Sequence, residues 1–131
     1  TARKTASGAS KTAKNVVGTT NKTKPKVVTI SRKKYPQSAK TIEKAQKAGK
    51  PKVLTVNRKG AKTNRRNSLK GVKPRKNKDR DEYPPAVTRE GGEGSTVRVI
   101  DRSDNRGAGA SMGNQIRDVP DGCKIKIKVV D

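Results

Sequence analysis

The 131-residue sequence predicts one small α+β domain with a central antiparallel sheet and a few short helices. Three observations predict it. Residues 26–31 form a β-branched run, residues 38–48 have a helical pattern, and residues 123–129 alternate between apolar and lysine side chains. Only 27% of the residues are hydrophobic and there is no Phe or Trp, so Val, Ile, Leu and Ala must fill the core.

The first half of the predicted domain holds two strands and two helices. Residues 26–31 (KVVTIS) carry β-branched side chains, which pack well on a pleated surface. Ser38 is expected to cap a helix that Gly49 ends, because a hydroxyl can accept an N-terminal N–H and glycine adopts a left-handed conformation easily. Residues 53–56 are expected to form a second strand, and residues 61–69 a short helix.

The second half is divided by turn-forming residues. Pro84 and Pro85 stop any helix after the acidic residues 79–82. Beyond them we expect a short strand at residues 86–88 and a longer strand at residues 96–100. A loop at residues 103–109, a helix at residues 110–118 and a final strand at residues 123–129 should follow. The period of two in the final strand indicates one buried face.

The charge of the chain is strongly asymmetric. Residues 1–78 hold 25 Lys or Arg and one acid, whereas residues 79–131 hold nine basic and ten acidic residues. Residues 1–24 show no regular period and are expected to be a disordered basic tail or linker before a domain at residues 25–131. A formal net charge of +23 indicates a polyanionic partner, nucleic acid first, although a solvated charge run is the ordinary alternative.

Phosphate contacts are expected from a group of cations that precede the acidic run, namely Arg65, Arg66, Arg75, Lys76 and Lys78. Point charges on phosphates do not discriminate between bases. Binding should therefore show little sequence preference and a strong dependence on salt.

Several kinds of chemistry are excluded by composition. Without His, the chain cannot form a Ser-His-Asp arrangement or a His-ligated zinc site, and the single Cys123 can form neither an internal disulfide nor a zinc cluster. No nucleotide-binding glycine motif is present, and no apolar stretch is long enough to span a bilayer, so we expect no membrane insertion. What remains is oxygen chemistry, in which carboxylates and amides bind Mg²⁺ or Mn²⁺.

Two clusters could supply those oxygens. The first is the acidic run at residues 79–82, which is explained equally well as a turn with a local ion pair. The second begins with Asp104 and Asn105, which could instead cap a helix, and continues to Asn114 and Gln115.

Five segments in fixed order resemble the NucA/NucB deoxyribonucleases: DRDEYP, EGGEG, SDNRGAG, GNQ and PDG, at residues 79–84, 90–94, 103–109, 113–115 and 120–122. The resemblance covers residues 26–130. It implies a nuclease of the ββα-metal type, which cuts DNA with a divalent cation and in which a carboxylate replaces the usual histidine base.

The resemblance also implies roles for individual residues. Asp81 would be the general base, with Glu82 its nearest rival, and Asn114 would be the metal ligand. Two further candidate metal ligands are Gln115 and Asn105. The arginines expected near the phosphate are Arg80 and Arg106. Three acids would support the site: Asp79, Glu90 and Asp104. A carboxylate is a weak base unless its pKa is shifted, so we expect Asp81 to be partly desolvated.

Departures from the family suggest how the domain is used. Secreted members often carry cysteines near the positions of Leu54 and Thr88, and their absence here suggests a reducing compartment. Together with Thr1 and the missing signal peptide, this suggests a monomeric toxin domain from a larger bacterial protein, acting on DNA in a rival cell and restrained by an acidic immunity partner. The alternative typical of the family is an extracellular scavenging nuclease.

The main competing hypothesis is a basic nucleic-acid-binding protein without enzymatic activity, of the ribosomal or nucleoid kind. The charge and the small size suit it, but such a protein does not need the acids and amides clustered in residues 79–121. A membrane-active cationic protein is disfavoured because the sequence has neither an amphipathic helix nor aromatic anchors.

Overall fold

Two sheets pack against helices α1 and α3. The computed structural model describes residues 24–131, so nearly all of the expected tail lies outside the described residues. The elements in chain order are β1 (Lys26–Ser31), α1 (Pro36–Lys47), β2 (Val53–Thr55), α2 (Ala61–Ser68), β3 (Lys78–Tyr83), β4 (Thr96–Asp101), α3 (Arg102–Gln115) and β5 (Lys124–Val130). The predicted α+β class is confirmed.

The larger sheet has the order β1-β5-β2, with β5 in the centre. Ile125 and Ile127 of β5 are buried, whereas Lys126 and Lys128 are exposed, as the alternating pattern predicts. The pairing differs from a purely antiparallel sheet, because β1 runs parallel to β5 and only β2 runs antiparallel to it. The second sheet is the antiparallel pair of β3 and β4.

Helix α1 packs against strands of both sheets, and α3 packs against β1, β3 and β4. The core between them consists of aliphatic side chains, Cys123 and Tyr83, which is 1% exposed. Its hydroxyl donates to the carbonyl of Pro51 at 2.7 Å and accepts from Gln46 at 3.0 Å. Its ring therefore fills the core while the hydroxyl is fully paired.

The start of α1 differs from the expected serine cap. The helix begins at Pro36, so Ser38 lies inside the first turn and makes no cap hydrogen bond. Instead, the buried carboxylate of Asp104 accepts the backbone N–H groups of Gln37 and Ser38, each at 2.9 Å. In return, the side chain of Gln37 accepts the N–H of Asp101, the N-cap residue of α3, at 2.9 Å. Each of the two helices thus provides a side chain that accepts backbone N–H groups at the N-terminus of the other.

Residues 103–109 were expected to form a loop, and that prediction is wrong, because they form the first half of α3. The glycines suggested a loop, yet Gly107 serves close packing: a Cβ added there would lie 2.5 Å from the ring of Tyr35. The helix also ends at Gln115 rather than at residue 118. A tertiary contact has outweighed a low helix propensity.

Two smaller expectations also need correction. The acidic run lies in strand β3 and not in a turn. Residues 86–88 do not form a strand, since only Thr88 pairs, in a single bridge with Val56.

We predict that Asp104→Ala destabilises the domain by about 3 kcal/mol, because two N–H groups at the start of α1 lose their acceptor in a buried position. Urea unfolding followed by circular dichroism would measure this. Asp118→Ala, at an exposed acid, is the matched control and should change stability little. Equal stability of the two variants would contradict the capping role.

Candidate active site

A cleft of about 730 Å³ opens along strand β3. One wall is α3 and the other contains Arg65 of α2 and Leu69 at its C-terminus. Residues 78–82 of β3 all contribute to the lining, so the acidic run predicted from sequence lies in this cleft. The cleft therefore brings the first of the two predicted clusters together with part of the second.

Asp81 is the least satisfied acid of the cleft. Its Oδ2 is a buried oxygen that has no hydrogen-bond partner among residues 24–131. Burial raises the pKa of Asp81 to about 6, an effect that the hydroxyl groups of Thr41 and Ser38 partly oppose. Asp104 raises the pKa further, while Arg98, opposite Asp81 on β4, lowers it. The carboxylate is thus more basic than usual and is ionised at neutral pH.

Glu82 points to the opposite face of β3 and is already engaged. Its Oε1 accepts a hydrogen bond from the hydroxyl of Ser68, and its Oε2 lies 3.8 Å from Nε of Arg65. Burial raises the pKa of Glu82 as well, against the effect of these partners. Glu82 is held by α2, whereas Asp81 keeps a free oxygen.

Asp79 is held by α3. It accepts from Nδ2 of Asn105 at 3.0 Å and from Nε of Arg106 at 3.1 Å, and Arg102 lies 3.7 Å away. The hydrogen bond from Asn105 holds the pKa of Asp79 below its usual range, although partial burial opposes this, and Arg106 and Arg102 lower it further. Asp79 therefore fixes the orientation of the Asn105 amide.

The three amides proposed as metal ligands lie in different places. Asn105 lines the cleft, and within residues 24–131 its Oδ1 takes part in no hydrogen bond. Asn114 and Gln115 do not line it. Gln115 instead accepts the N–H of Thr29 at 2.9 Å and donates to its carbonyl at 2.7 Å, which satisfies the edge of β1, and Asn114 accepts from Arg117.

The described residues contain no group of three or more Cys, Asp or Glu side chains that could hold a metal ion by themselves. A cation in this cleft would therefore rely on few protein oxygens and several waters, which is how Mg²⁺ commonly binds. The Oδ1 of Asn105 is a hard donor of the right kind, so the residues present fit such an ion.

The cations predicted to contact phosphate are only partly in the cleft. Arg65, Lys78 and Arg80 line it, whereas Arg66, Arg75 and Lys76 are exposed outside it. Lys78 also pairs with Asp101, and Arg80 donates to the carbonyl of Val72 at 2.9 Å.

Three polar side chains that line the cleft were not among the predicted site residues: Ser38, Arg58 and Arg117. Arg58 donates to the carbonyls of Ile116 and Val119 at 2.7 Å each, which closes the C-terminal end of α3. Nothing in a lone serine or arginine of a basic sequence signals such a position.

Glu90 lies outside the cleft lining. Its carboxylate accepts the N–H and the hydroxyl of Thr55 at 2.7 and 3.0 Å and so anchors β2. Asp104 likewise acts through the start of α1. Both acids support the fold around the cleft without reaching into it.

These features define a class of protein: a small α+β domain in which a desolvated carboxylate and an oriented amide share a cation-lined cleft. The chain belongs to the NucA/NucB deoxyribonuclease family, because the family model "Deoxyribonuclease NucA/NucB" matches residues 1–128. The predicted resemblance is therefore confirmed. The chain is 44% identical to the DNA-entry nuclease of Bacillus subtilis (strain 168) over 92 aligned residues, and these residues make up 70% of this chain. The match spans 63% of the length of that relative.

We predict that Asp81→Asn makes the protein roughly 2 kcal/mol more stable at pH 8 in EDTA, because wild-type Asp81 is ionised there at a cost in burial. The raised pKa means that this cost is absent when the carboxyl is protonated in both the folded and the unfolded chain. The gain should therefore fade as the pH falls through about 6 and should vanish near pH 4.

Urea unfolding of the variant and of wild type at pH 8, 6 and 4 measures this difference. The exposed substitution Asp118→Asn is the control and should show no such trend. A stability difference for Asp81→Asn that is the same at all three pH values would contradict the buried ionised state.

Proposed function

We propose that this protein is an endonuclease that hydrolyses the phosphodiester bonds of DNA, with Asp81 as the general base. The observation that carries the proposal is the partnerless buried oxygen of Asp81 at the wall of a cation-lined cleft. Ordinary structural acids in this chain are paired, as Asp79, Glu82 and Asp104 are.

In this mechanism a water molecule attacks the phosphorus, its proton passes to Asp81, and the P–O bond to the leaving sugar oxygen breaks. A base with a pKa of about 6 is ionised at neutral pH and still takes a proton more readily than an ordinary carboxylate. Arg106, which pairs with Asp79 on the face of β3 that carries Asp81, is the cation proposed to neutralise charge on the phosphate. Arg80 and Arg65 line the cleft from the side of Glu82.

Asn105 is the proposed protein ligand for Mg²⁺ or Mn²⁺. The hydrogen bond of its Nδ2 to Asp79 holds the amide so that Oδ1 is left for a cation. When bound, the cation would supply charge stabilisation at the phosphate and leaving oxygen. We leave Gln115 out of the ligand set because both ends of its amide are paired with Thr29.

Strands β3 and β4 followed directly by α3 have the order of the ββα-metal motif that the family resemblance implies, and we propose that they form it. Asp81 would come from the first strand of the motif and Asn105 from its helix. DNA as the substrate is supported by the family description and by the name of the B. subtilis relative.

Supercoiled plasmid incubated with the protein and Mg²⁺ or Mn²⁺ should become nicked, and EDTA should prevent it. Asp81→Ala should lower the rate by at least about 100-fold, the scale of a lost general base. Agarose gels over a time course measure both. Cutting that survives in Asp81→Ala would move the base to Glu82, and a gel shift with intact plasmid would favour the non-enzymatic binding protein.

Two asparagines of α3 give a matched control in the same assay. Asn105→Ala should raise the Mn²⁺ concentration needed for half-maximal nicking about tenfold or more, the scale of lost metal-site contacts. Asn114→Ala removes the same chemistry outside the cleft and should leave that concentration unchanged. The reverse result would return the ligand role to Asn114.

We further propose that the domain acts as a toxin inside a target cell, with an acidic immunity partner. The core supports this because Leu54 and Thr88, where secreted relatives are expected to carry cysteines, are both 0% exposed, and Cys123 is a free buried thiol. A core completed by such side chains keeps its packing in a reducing cytoplasm. No helix within residues 24–131 is long and apolar enough to cross a membrane.

Induced expression of residues 1–131 in the bacterial cytoplasm should therefore stop growth and degrade chromosomal DNA, because nothing neutralises the nuclease there. Colony counts and DNA staining measure the effect, with Asp81→Ala as the inactive control. Normal growth with active enzyme recovered from the same cells would favour the extracellular scavenging role.

A further inference from the structure

The C-terminal half of α3 gives the cleft a second part that is apolar. Ala108, Met112 and Ile116 lie at intervals of four residues and line the cleft on one face of the helix. Met112 lies seven residues beyond Asn105, which is about 10 Å along a helix axis. The apolar part is therefore about one nucleotide or more away from the proposed site of chemistry.

Two further apolar side chains line the same cleft. They are Leu69 and Val87, and both Val87 and Met112 are partly buried side chains packed on the core. We call Leu69, Val87, Met112 and Ile116 the apolar pocket. Among the described residues, Val27 and Val53 are the large hydrophobic side chains that count as exposed, and the other large apolar side chains are at least partly buried.

Phosphate binding does not explain the apolar pocket. Phosphate contacts need donors and cations, and none of these four side chains supplies either. Arg58, which also lines the cleft, donates to the carbonyls of Ile116 and Val119 and pairs with Asp121, so its donor groups are already engaged. The apolar part of a nucleic acid is the face of its base.

The size of the cleft also suits more than a phosphate. Its volume of about 730 Å³ lies within the range of about 300–1,000 Å³ typical of pockets that enclose small organic ligands. Arg117 at the rim is exposed and is placed to contact a flanking phosphate. A nucleotide next to the cut could thus be bound by base and phosphate together.

We propose that the apolar pocket binds an unstacked base of the nucleotide beside the scissile phosphate, so that the enzyme prefers single-stranded or locally opened DNA to a stable duplex. This inference rests on the proposed nuclease function. Bases of a duplex are stacked and paired, and removing one costs a few kcal/mol, whereas a single strand offers its bases at little cost. That difference is the source of the preference.

The test compares kcat/KM for one 12-mer as a single strand and as a duplex. Wild type should favour the single strand by about tenfold or more, since each 1.4 kcal/mol is a factor of ten. Met112→Gln, which places a polar amide in the pocket, should reduce that ratio at least fivefold. Met112→Leu keeps an apolar side chain and should preserve the ratio, and thermal unfolding of both variants checks that they fold.

A second measurement does not depend on cutting. In Asp81→Asn, binding of the duplex 12-mer with a central 2-aminopurine should raise its fluorescence, because the base leaves the stack. The additional substitution Met112→Gln should remove the rise, and Val87→Thr, near in shape but polar, should weaken it.

The outcomes separate the two proposals. Equal kcat/KM for both substrates, with no fluorescence rise, would overturn the base-binding pocket while leaving the nuclease intact. A higher KM for both substrates in Met112→Gln, without a fluorescence change, would mean contact with deoxyribose only and would also overturn it. A fluorescence rise without any cutting by wild type would support the pocket and reject the nuclease.

Discussion

The buried carboxylate of Asp104 is the contact on which the site depends. It accepts two N–H groups at the start of α1 and so fixes that helix against α3. Because an anion at a helix N-terminus also interacts favourably with the helix dipole, this contact is strong for a single side chain. It sets the position of Ser38 and Thr41 on α1, and the hydroxyls of these two residues stabilise the ionised form of Asp81. The surroundings of Asp81 therefore depend on the contact between Asp104 of α3 and the start of α1.

The protein separates chemically similar acids by giving them different partners. Alternation along β3 directs Asp79 and Asp81 to one face and Glu82 to the other, where α2 supplies Ser68 and Arg65. On the shared face, Asn105 and Arg106 of α3 engage Asp79, so Asp81 is left with a free oxygen. In a chain with a formal net charge of +23, a buried carboxylate oxygen without a hydrogen-bond partner is unexpected, and this makes Asp81 informative.

The burial of Asp81 lowers the stability of the fold and at the same time makes the carboxylate a stronger base. Keeping Asp81 ionised in a partly buried place costs folding free energy, while the raised pKa makes it a better proton acceptor. The surrounding fold offsets that cost with side chains that satisfy backbone groups directly: Glu90 anchors β2, Gln115 anchors β1, and Arg58 closes the end of α3. The core contains a single buried aromatic side chain, Tyr83. It therefore depends on such polar contacts more than a core with many large hydrophobic side chains would.

The sequence by itself determined the α+β class, strand β1, most of α1 and strand β5, since β-branched runs and alternation are local patterns that burial enforces. Its motifs also determined the family and pointed to Asp81. Only the tertiary structure decided that β1 runs parallel to β5, that the glycine-rich segment around Gly107 is helical, and that Asn105 rather than Asn114 or Gln115 faces the cleft. The physical reason is that amides at the two ends of one helix have the same chemistry. Which amide meets the cleft depends on how α3 is rotated against β1 and β3, and no local pattern encodes that rotation.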